Sequence, residues 1–171
     1  MRMDTILYLT RHGETVDNAN QIMQGQTQGE LNENGLRQAR ELSDQWKNRE
    51  IDVVMASDLK RSVDTAAIIA APHGLEVVKT SLLRERDWGS FTGRYIPSLK
   101  NEPWPDDIET LENLLSRAGE FIAYVKKTYP GKKVLAVGHG IVNKAVQAVY
   151  FKKSMSEIPR MLNAEVRELV L

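Results

Sequence analysis

Two short motifs place an imidazole where chemistry can reach it. Arg11-His12-Gly13-Glu14-Thr15 follows the apolar run Ile6-Leu7-Tyr8-Leu9, and Gly138-His139-Gly140 follows Val134-Leu135-Ala136-Val137. Both runs read as buried strands, so both histidines fall at strand ends, where open α/β sheets bind their ligands. His12 offers a nitrogen that can act as a nucleophile near neutral pH. Arg11 beside it offers a planar fork of donors suited to phosphate oxygens. Gly13 and Gly140 carry no side chain to block a close approach. The pairing of cation and imidazole suggests phosphoryl chemistry, provided partners arrive from elsewhere in the chain.

Two further clusters follow other strand-like runs. In Ser57-Asp58-Leu59-Lys60-Arg61, the arginine falls in the first turn of a helix, where a lone cation is mildly unfavourable and a bound anion would relieve the conflict. Taken alone, Arg61 reads as an exposed surface arginine, as does Lys60 as a surface lysine. In Leu83-Arg84-Glu85-Arg86-Asp87-Trp88-Gly89, Glu85 alone reads as part of a solvated charge cluster. Beside a histidine nucleophile it becomes a candidate proton donor to a leaving alkoxide. A phosphate nearby would help it hold a proton, whereas Arg84 and Arg86 would oppose this. His73, in a Pro-His-Gly turn, reads as an ordinary surface histidine. No metal-ligand spacing and no Gly-rich nucleotide loop occurs, so neither a metal nor a cofactor is expected.

The chain has 171 residues, 23 Lys+Arg against 23 Asp+Glu, and no cysteine. The balanced charge gives no reason to expect a nucleic-acid or membrane-surface partner. Without cysteine there are no disulfides, thiolate metal sites or cysteine nucleophiles. Charges at Arg2 and Asp4 and the lack of a long apolar stretch argue against a signal peptide, so a soluble cytoplasmic protein is expected.

Strands and helices alternate. Strands are expected at Thr5–Thr10, Ile51–Ala56, Leu75–Lys79, Lys132–Gly138 and Ala164–Leu171. Residues 11–31 and 81–106 read as long functional segments. Helices are expected over Asn32–Asn48, from a Ser57 or Asp58 cap to about Ala71, from an Asp106 or Asp107 cap to about Lys127, and over 140–151, with a short one over Ser154–Met161. The third should bury Ile108, Leu111, Leu115, Ala118, Ile122 and Val125 as one stripe. Repeated βα units imply a mostly parallel sheet with helices on both faces.

Arg11-His12-Gly13-Glu14-Thr15, Gln24-Gly25, Leu31 through Gln38-Ala39, Ser57–Ala66, Leu83–Gly93 and Gly138-His139-Gly140 occur in the order of one known family. The chain resembles the histidine phosphatase superfamily, also called phosphoglycerate-mutase-like, over nearly its whole length. The resemblance implies a single domain over residues 1–171. Its fold would be a three-layer α/β/α sandwich with a mostly parallel, mixed sheet of about six strands. It also implies a phosphohistidine intermediate and no cofactor. His12 would be the nucleophile and Glu85 the proton donor. Arg11, Arg61 and His139 would form the phosphate pocket, with His139 in the catalytic group. Asn18, Gln24 and Gly140 would add phosphate contacts. The acidic residue usual before the Pro-Leu pair of the first loop is missing, since Gln28-Gly29-Glu30-Leu31 stands there.

Within that family the chain resembles the compact phosphatase branch. Mutases carry a longer insertion after the glutamate segment, with paired arginines for the substrate carboxylate. Here only Arg94–Pro105 separates Gly93 from the next helix. Mutases continue Gly-His-Gly with Asn-Ser, where this chain has Ile141-Val142, and they carry a further tail beyond the last strand. A metal-independent phosphomonoesterase acting on a small-molecule phosphate monoester is the leading expectation. The alternatives are a cofactor-dependent phosphoglycerate mutase and a non-catalytic module that binds phosphorylated ligands. Trp88, Phe91, Tyr95 and Trp104 could wall the pocket, but packing of the long segment explains them more simply.

Overall fold

The structure, a computed structural model, describes residues 3–171. Arg2, one of the two N-terminal charges noted above, lies outside the described residues. Five strands form one sheet: β1 (Ile6–Arg11), β2 (Val53–Ser57), β3 (Val77–Thr80), β4 (Lys133–Gly138) and β5 (Val166–Val170). Their order is β3-β2-β4-β1-β5. The first four run parallel, and β5 pairs antiparallel with β1. The sheet is therefore mixed and mostly parallel, as expected, but it has five strands among the described residues rather than about six. Each of the five apolar runs supplies one strand. The remaining long segment instead folds into 3₁₀ turns at Ser81–Leu83, Gly89–Phe91 and Ile96–Leu99. Pro97, Pro103 and Pro105 lie in that segment, and proline cannot donate to a ladder.

Alternation along the strands feeds two cores. Leu7, Leu9, Val134 and Ala136 face one side, where they meet α4 (Leu111–Thr128) and α5 (Gly140–Phe151). Tyr8, Leu135 and Val137 face the other, against α2 (Glu33–Trp46) and α3 (Lys60–Ala70). Burial on both faces explains why these strands read as continuous apolar runs. The result is the three-layer α/β/α arrangement. No helix among the described residues is long and apolar enough to cross a membrane.

Several boundaries differ from the sequence reading. Residues 11–31 are not all loop: α1 (Val16–Ala19) forms one turn, closed by a capping box between Thr15 and Asn18. Helix α3 starts after Leu59 without a side-chain cap, because Asp58 is drawn to Arg84 and Ser57 faces His139. Helix α4 is capped by Thr110, whose hydroxyl accepts from the Asn113 N–H at 3.1 Å. Asp107 is instead engaged by Ser90. Ile108 therefore lies outside α4, in a small cluster with Phe91 and Leu99. The buried stripe of α4 is Leu114, Ala118, Phe121 and Val125, and Leu111 is exposed. Over Ser154–Met161 there is only the 3₁₀ turn Met155–Glu157.

Phe121 is fully buried against the sheet. Phe121→Ala is expected to cost about 3–5 kcal/mol of stability, measured as a lower urea midpoint at unchanged m-value.

Candidate active site

The parallel register brings three chain segments to one edge. Arg11 of β1 lies opposite Gly138 of β4, and β2 pairs with the other side of β4 through Ala56 and Val137. The residues that follow, His12, Ser57 and His139, are thus assembled by backbone pairing before any side chain contributes. The His12 N–H extends this pairing by donating to the Gly138 carbonyl at 3.2 Å.

The segment after β1 is clamped from three directions. The Gly13 N–H donates to Thr65 Oγ1 of α3 at 3.1 Å, and the Glu14 N–H donates to Gln38 Oε1 of α2 at 2.9 Å. Asn163 Nδ2 donates to the His12 carbonyl at 3.1 Å. Gly13 and Gly35 meet backbone to backbone: a Cβ on Gly35 would overlap the Glu14 carbonyl. Within this clamp, His12 Nδ1 lies 2.7 Å from the Gly13 carbonyl. A carbonyl can only accept, so Nδ1 carries the proton and Nε2 keeps its lone pair. Burial, reinforced by the charge of Arg61, pushes the His12 pKa down to about 3, so the ring is neutral at ordinary pH.

Arg11 is buried and donates through Nη1 to the Met161 carbonyl at 2.8 Å. Its Nε is buried with no acceptor. Its Nη2 has no acceptor among the described residues and is not buried, so it is the donor of this cavity-lining guanidinium that an anion can reach. Arg61 is not the surface residue its position suggested, being only 1% exposed. Its Nε donates to His139 Nδ1 at 3.2 Å, its Nη2 to the Gly25 carbonyl at 2.7 Å, and its Nη1 to the carbonyls of Thr27 and Gln28. Burial lowers its pKa to about 10, which leaves it charged at neutral pH. Because His139 Nδ1 accepts, its Nε2 must be the protonated nitrogen, shared between Ser57 Oγ at 2.7 Å and Ser62 Oγ at 3.1 Å. His139 is fully buried, and burial followed by the Arg61 charge holds its pKa well below the usual histidine value.

Glu85 receives the first turn of α5. The Ile141 and Val142 N–H groups donate to its two carboxylate oxygens at 3.0 and 2.9 Å. Neither flanking guanidinium pairs with it: Arg84 makes a bidentate pair with Asp58, both bonds 2.7 Å, and Arg86 Nε donates to the Glu109 carbonyl, while only the Arg86 backbone N–H donates to Glu85 Oε1, at 2.9 Å. The backbone of Glu85 is held by Arg117, a residue that sequence reasoning missed. From α4, Arg117 donates to the carbonyls of Leu82, Arg84 and Glu85 and pairs bidentately with the largely buried Glu109. Burial, the largest single influence, raises the Glu109 pKa, but the hydrogen bonds and charge of Arg117, with those from the Asp87 N–H and Asn113, together outweigh it and the net shift is downward.

These segments enclose a cavity of about 320 Å³ lined by Arg11, His12, Asn18, Gln24, Arg61, Glu85 and Gly140. Asn18 and Gln24 use their oxygens within the protein, accepting from the Thr15 N–H and the Thr15 hydroxyl respectively. Their amide nitrogens are the groups left to meet a ligand. His139 is the exception among the expected site residues: it stands behind the cavity wall, its ring centre 5.0 Å from that of His12. Of the four aromatics considered as a wall, only Trp88 lines the cavity, and Phe91 is core. The apolar wall also uses Ile22, Met23, Ile96 and Ile141, and Lys144 and Arg160 complete the lining. Lys144 had a readable signal, one helical turn beyond Gly140 on the same face. Arg160 had none.

A model of the histidine phosphatase superfamily (branch 1) matches residues 7–171. The chain belongs to the histidine phosphatase superfamily. Curated relatives include an uncharacterized phosphatase PhoE of Bacillus subtilis, 41% identical over 80% of this chain and 72% of that protein. A metal-independent phosphoserine phosphatase of Arabidopsis thaliana is 33% identical over 95% and 74%. A probable phosphoglycerate mutase GpmB of Enterobacter is 35% identical over 79% and 69%. Among solved structures, a mycobacterial glucosyl-3-phosphoglycerate phosphatase superposes with a TM-score of 0.86 at 25% identity, covering 96% of this chain and 89% of that one.

Two predictions follow from the buried groups. A histidine held neutral in the fold, with its pKa below the unfolded value of 6.5, makes the unfolded state the better proton acceptor below that pH. Stability should therefore be flat above pH 6.5 and fall below it, approaching about 1.4 kcal/mol per pH unit for each such histidine. Urea titrations between pH 6.5 and 5 should show this slope, and His12→Asn should reduce it. Removing one partner of the Arg117–Glu109 pair should cost about 3–5 kcal/mol. Arg117→Met should lower kcat more than it raises KM, because Glu85 loses its backbone support.

Proposed function

We propose that the chain is a metal-independent phosphomonoesterase acting on small phosphorylated metabolites through a phosphohistidine intermediate. The observation that carries this reading is the state of His12. Its Nδ1–H is committed to the Gly13 carbonyl, its ring is neutral, and its free Nε2 shares one cavity with Arg11, Arg61 and Glu85.

In this reading Nε2 attacks phosphorus as the bond to the ester oxygen breaks. Protonated Glu85 gives its proton to the departing alkoxide. Water then attacks the phosphohistidine, Glu85 takes a proton from it, and inorganic phosphate leaves with His12 restored. Arg11 stabilises the equatorial oxygens through its charge and through Nη2, which has no acceptor among the described residues. Arg61 contributes its charge while its N–H groups hold the first loop. His139 acts by orienting Arg61 from behind the cavity. At the N-termini of α3 and α5 most N–H groups are already engaged, and the Gly140 N–H, which has no acceptor among the described residues, is left at the cavity wall. Ile141 and Val142 donate to Glu85, and the Lys60 and Arg61 N–H groups donate to Gln28.

Water is favoured as acceptor over a second hydroxyl by the segment after Gly93. Arg94 there is consumed by a bidentate pair with Glu102, at 2.6 and 2.7 Å. Neither Arg94 nor Lys100 lines the cavity. Nothing in this segment reproduces the paired arginines of a mutase. The metal-independent phosphoserine phosphatase relative supports the substrate class. A single domain and a cytoplasmic location belong to this reading and rest on the sequence.

The test is hydrolysis of p-nitrophenyl phosphate in the presence of EDTA. Native protein should turn over and form an acid-labile phosphoenzyme, and His12→Ala should do neither; unchanged turnover in that variant sinks the reading. Glu85→Gln should lower kcat by about 10²–10⁴-fold on esters with poor leaving groups. Because His12 protonates only near pH 3, kcat/KM should show no acid limb from a histidine near pH 6.5.

A further inference from the structure

The connection between α5 and β5 touches the His12 segment more often than a surface turn needs to. The Met161 carbonyl takes Arg11 Nη1, and the Glu165 carbonyl takes the Arg11 N–H. The Ala164 N–H donates to the carbonyls of both Arg11 and His12, at 3.0 and 3.2 Å. Ala164 reaches them in the left-handed region, with a φ of 60°, where a residue bearing a Cβ is disfavoured. Such a conformation persists only where its surroundings over-determine it. They do so here. Glu165 accepts the Leu162 N–H at 2.8 Å and pairs with Arg167, which also donates to the Pro159 and Arg160 carbonyls.

This fixed turn sets the Asn163 side chain between two parts of the site. Asn163 Nδ2 lies 3.1 Å from the His12 carbonyl and 3.3 Å from Asn18 Oδ1. A carbonyl can only accept, so the Asn163 atom facing it is the nitrogen, and its two hydrogens serve the two oxygens one each. Asn18 then has its oxygen turned inward, where the Thr15 N–H also donates to it at 3.1 Å. Turning the Asn18 amide over would set its NH₂ against two donors. Asn18 Nδ2 is thereby left at the cavity without an acceptor among the described residues. Asn163 itself does not line the cavity, so it can act on a ligand only through what it holds.

We propose that Asn163 is a positioning residue: anchored on the His12 main chain, it fixes the amide of Asn18 so that a donor, and not a carbonyl, meets the phosphoryl oxygens. This deepens the phosphatase reading and rests on it for the place of the phosphoryl group. An amide free to turn can present its oxygen to an anion as well as its nitrogen, and a carbonyl dipole aimed at a phosphate repels it. A donor stabilises charge best when its orientation is set before the anion arrives. The Thr15 N–H alone gives Asn18 one fixed partner, four positions along the same loop. Asn163 adds a second partner from the far end of the chain. It also ties Asn18 to His12, the residue that must meet the same phosphoryl group.

The test is a double-mutant cycle on inorganic phosphate, whose dissociation constant is measured calorimetrically with EDTA present. Asn18→Ala should weaken binding about tenfold, and Asn163→Ala by about three- to tenfold. In the Asn18→Ala background, Asn163→Ala should change binding by less than about twofold, because the group it orients is gone. Should Asn163→Ala fail to fold, Asn163→Leu, of similar size and without donors, takes its place in the cycle. Asn163→Asp keeps the shape but loses both donor hydrogens, so it should bind phosphate no better than Asn163→Ala. Native affinity in the aspartate variant assigns Asn163 to packing alone and overturns the proposal. So do effects that add across the cycle, native affinity in Asn163→Ala, or native protein that binds no phosphate. Hydrolysis of p-nitrophenyl phosphate with additive effects loses this proposal alone. Coupled effects in a protein that hydrolyses no ester keep Asn163 in this role at an anion pocket and reject the phosphatase reading.

Discussion

The site depends on a buried guanidinium with no carboxylate in contact. Arg61 gives its donors to one imidazole and three main-chain carbonyls, so its charge is dispersed into dipoles without being cancelled. That arrangement has two effects at once. It ties α3, the segment after β4 and the first loop into one unit. It also leaves a net positive potential at the cavity wall, which adds to burial in keeping both His12 and His139 unprotonated. A carboxylate partner would have stabilised the arginine more cheaply, but it would have cancelled the field that an incoming phosphate meets.

Around Arg61 the labour is divided between sheet and helices. The strands set where each reactive residue starts, through main-chain pairing that is indifferent to side-chain identity. The helices then supply fixed partners: Thr65 and Gln38 for the loop after β1, Ile141 and Val142 for Glu85, Asn143 for the Thr10 carbonyl. Arg117 plays the same part for the glutamate segment, which has no regular structure of its own beyond short turns. Most residues that hold the site are thus polar side chains satisfying backbone groups, and few of them face the cavity.

This explains what could be read in the chain and what could not. The five strands were legible because burial on both faces writes an apolar run with turns at each end. His12 and His139 stood out because each follows such a run in a setting that packing explains poorly, whereas Glu85 alone reads as solvated charge and was drawn to the site only by the histidine it would serve. Arg61 was not legible on its own, since first-turn arginines are ordinary on surfaces and only the order of motifs pointed inward. Arg117 was invisible because its partner backbone lies 32 residues away at Glu85. The start of α4 was misplaced because Asp106, Asp107 and Thr110 are all competent caps; tertiary contacts with Ser90 removed Asp107 from the choice. The sixth strand came from resemblance to a family, and this chain carries five runs able to form strands.

The contact between Gly13 and Gly35 has a consequence of another kind. Side chains normally act as a compliant layer between elements, absorbing small misfits by changing rotamer. Here that layer is missing, and the loop carrying His12 seats main chain on main chain against α2. The position of His12 is therefore gauged by the helix itself, with no adjustable part between them. Two residues without functional groups thereby set the dimensional tolerance of the candidate site, and leave as little latitude for replacement as the histidine whose position they define.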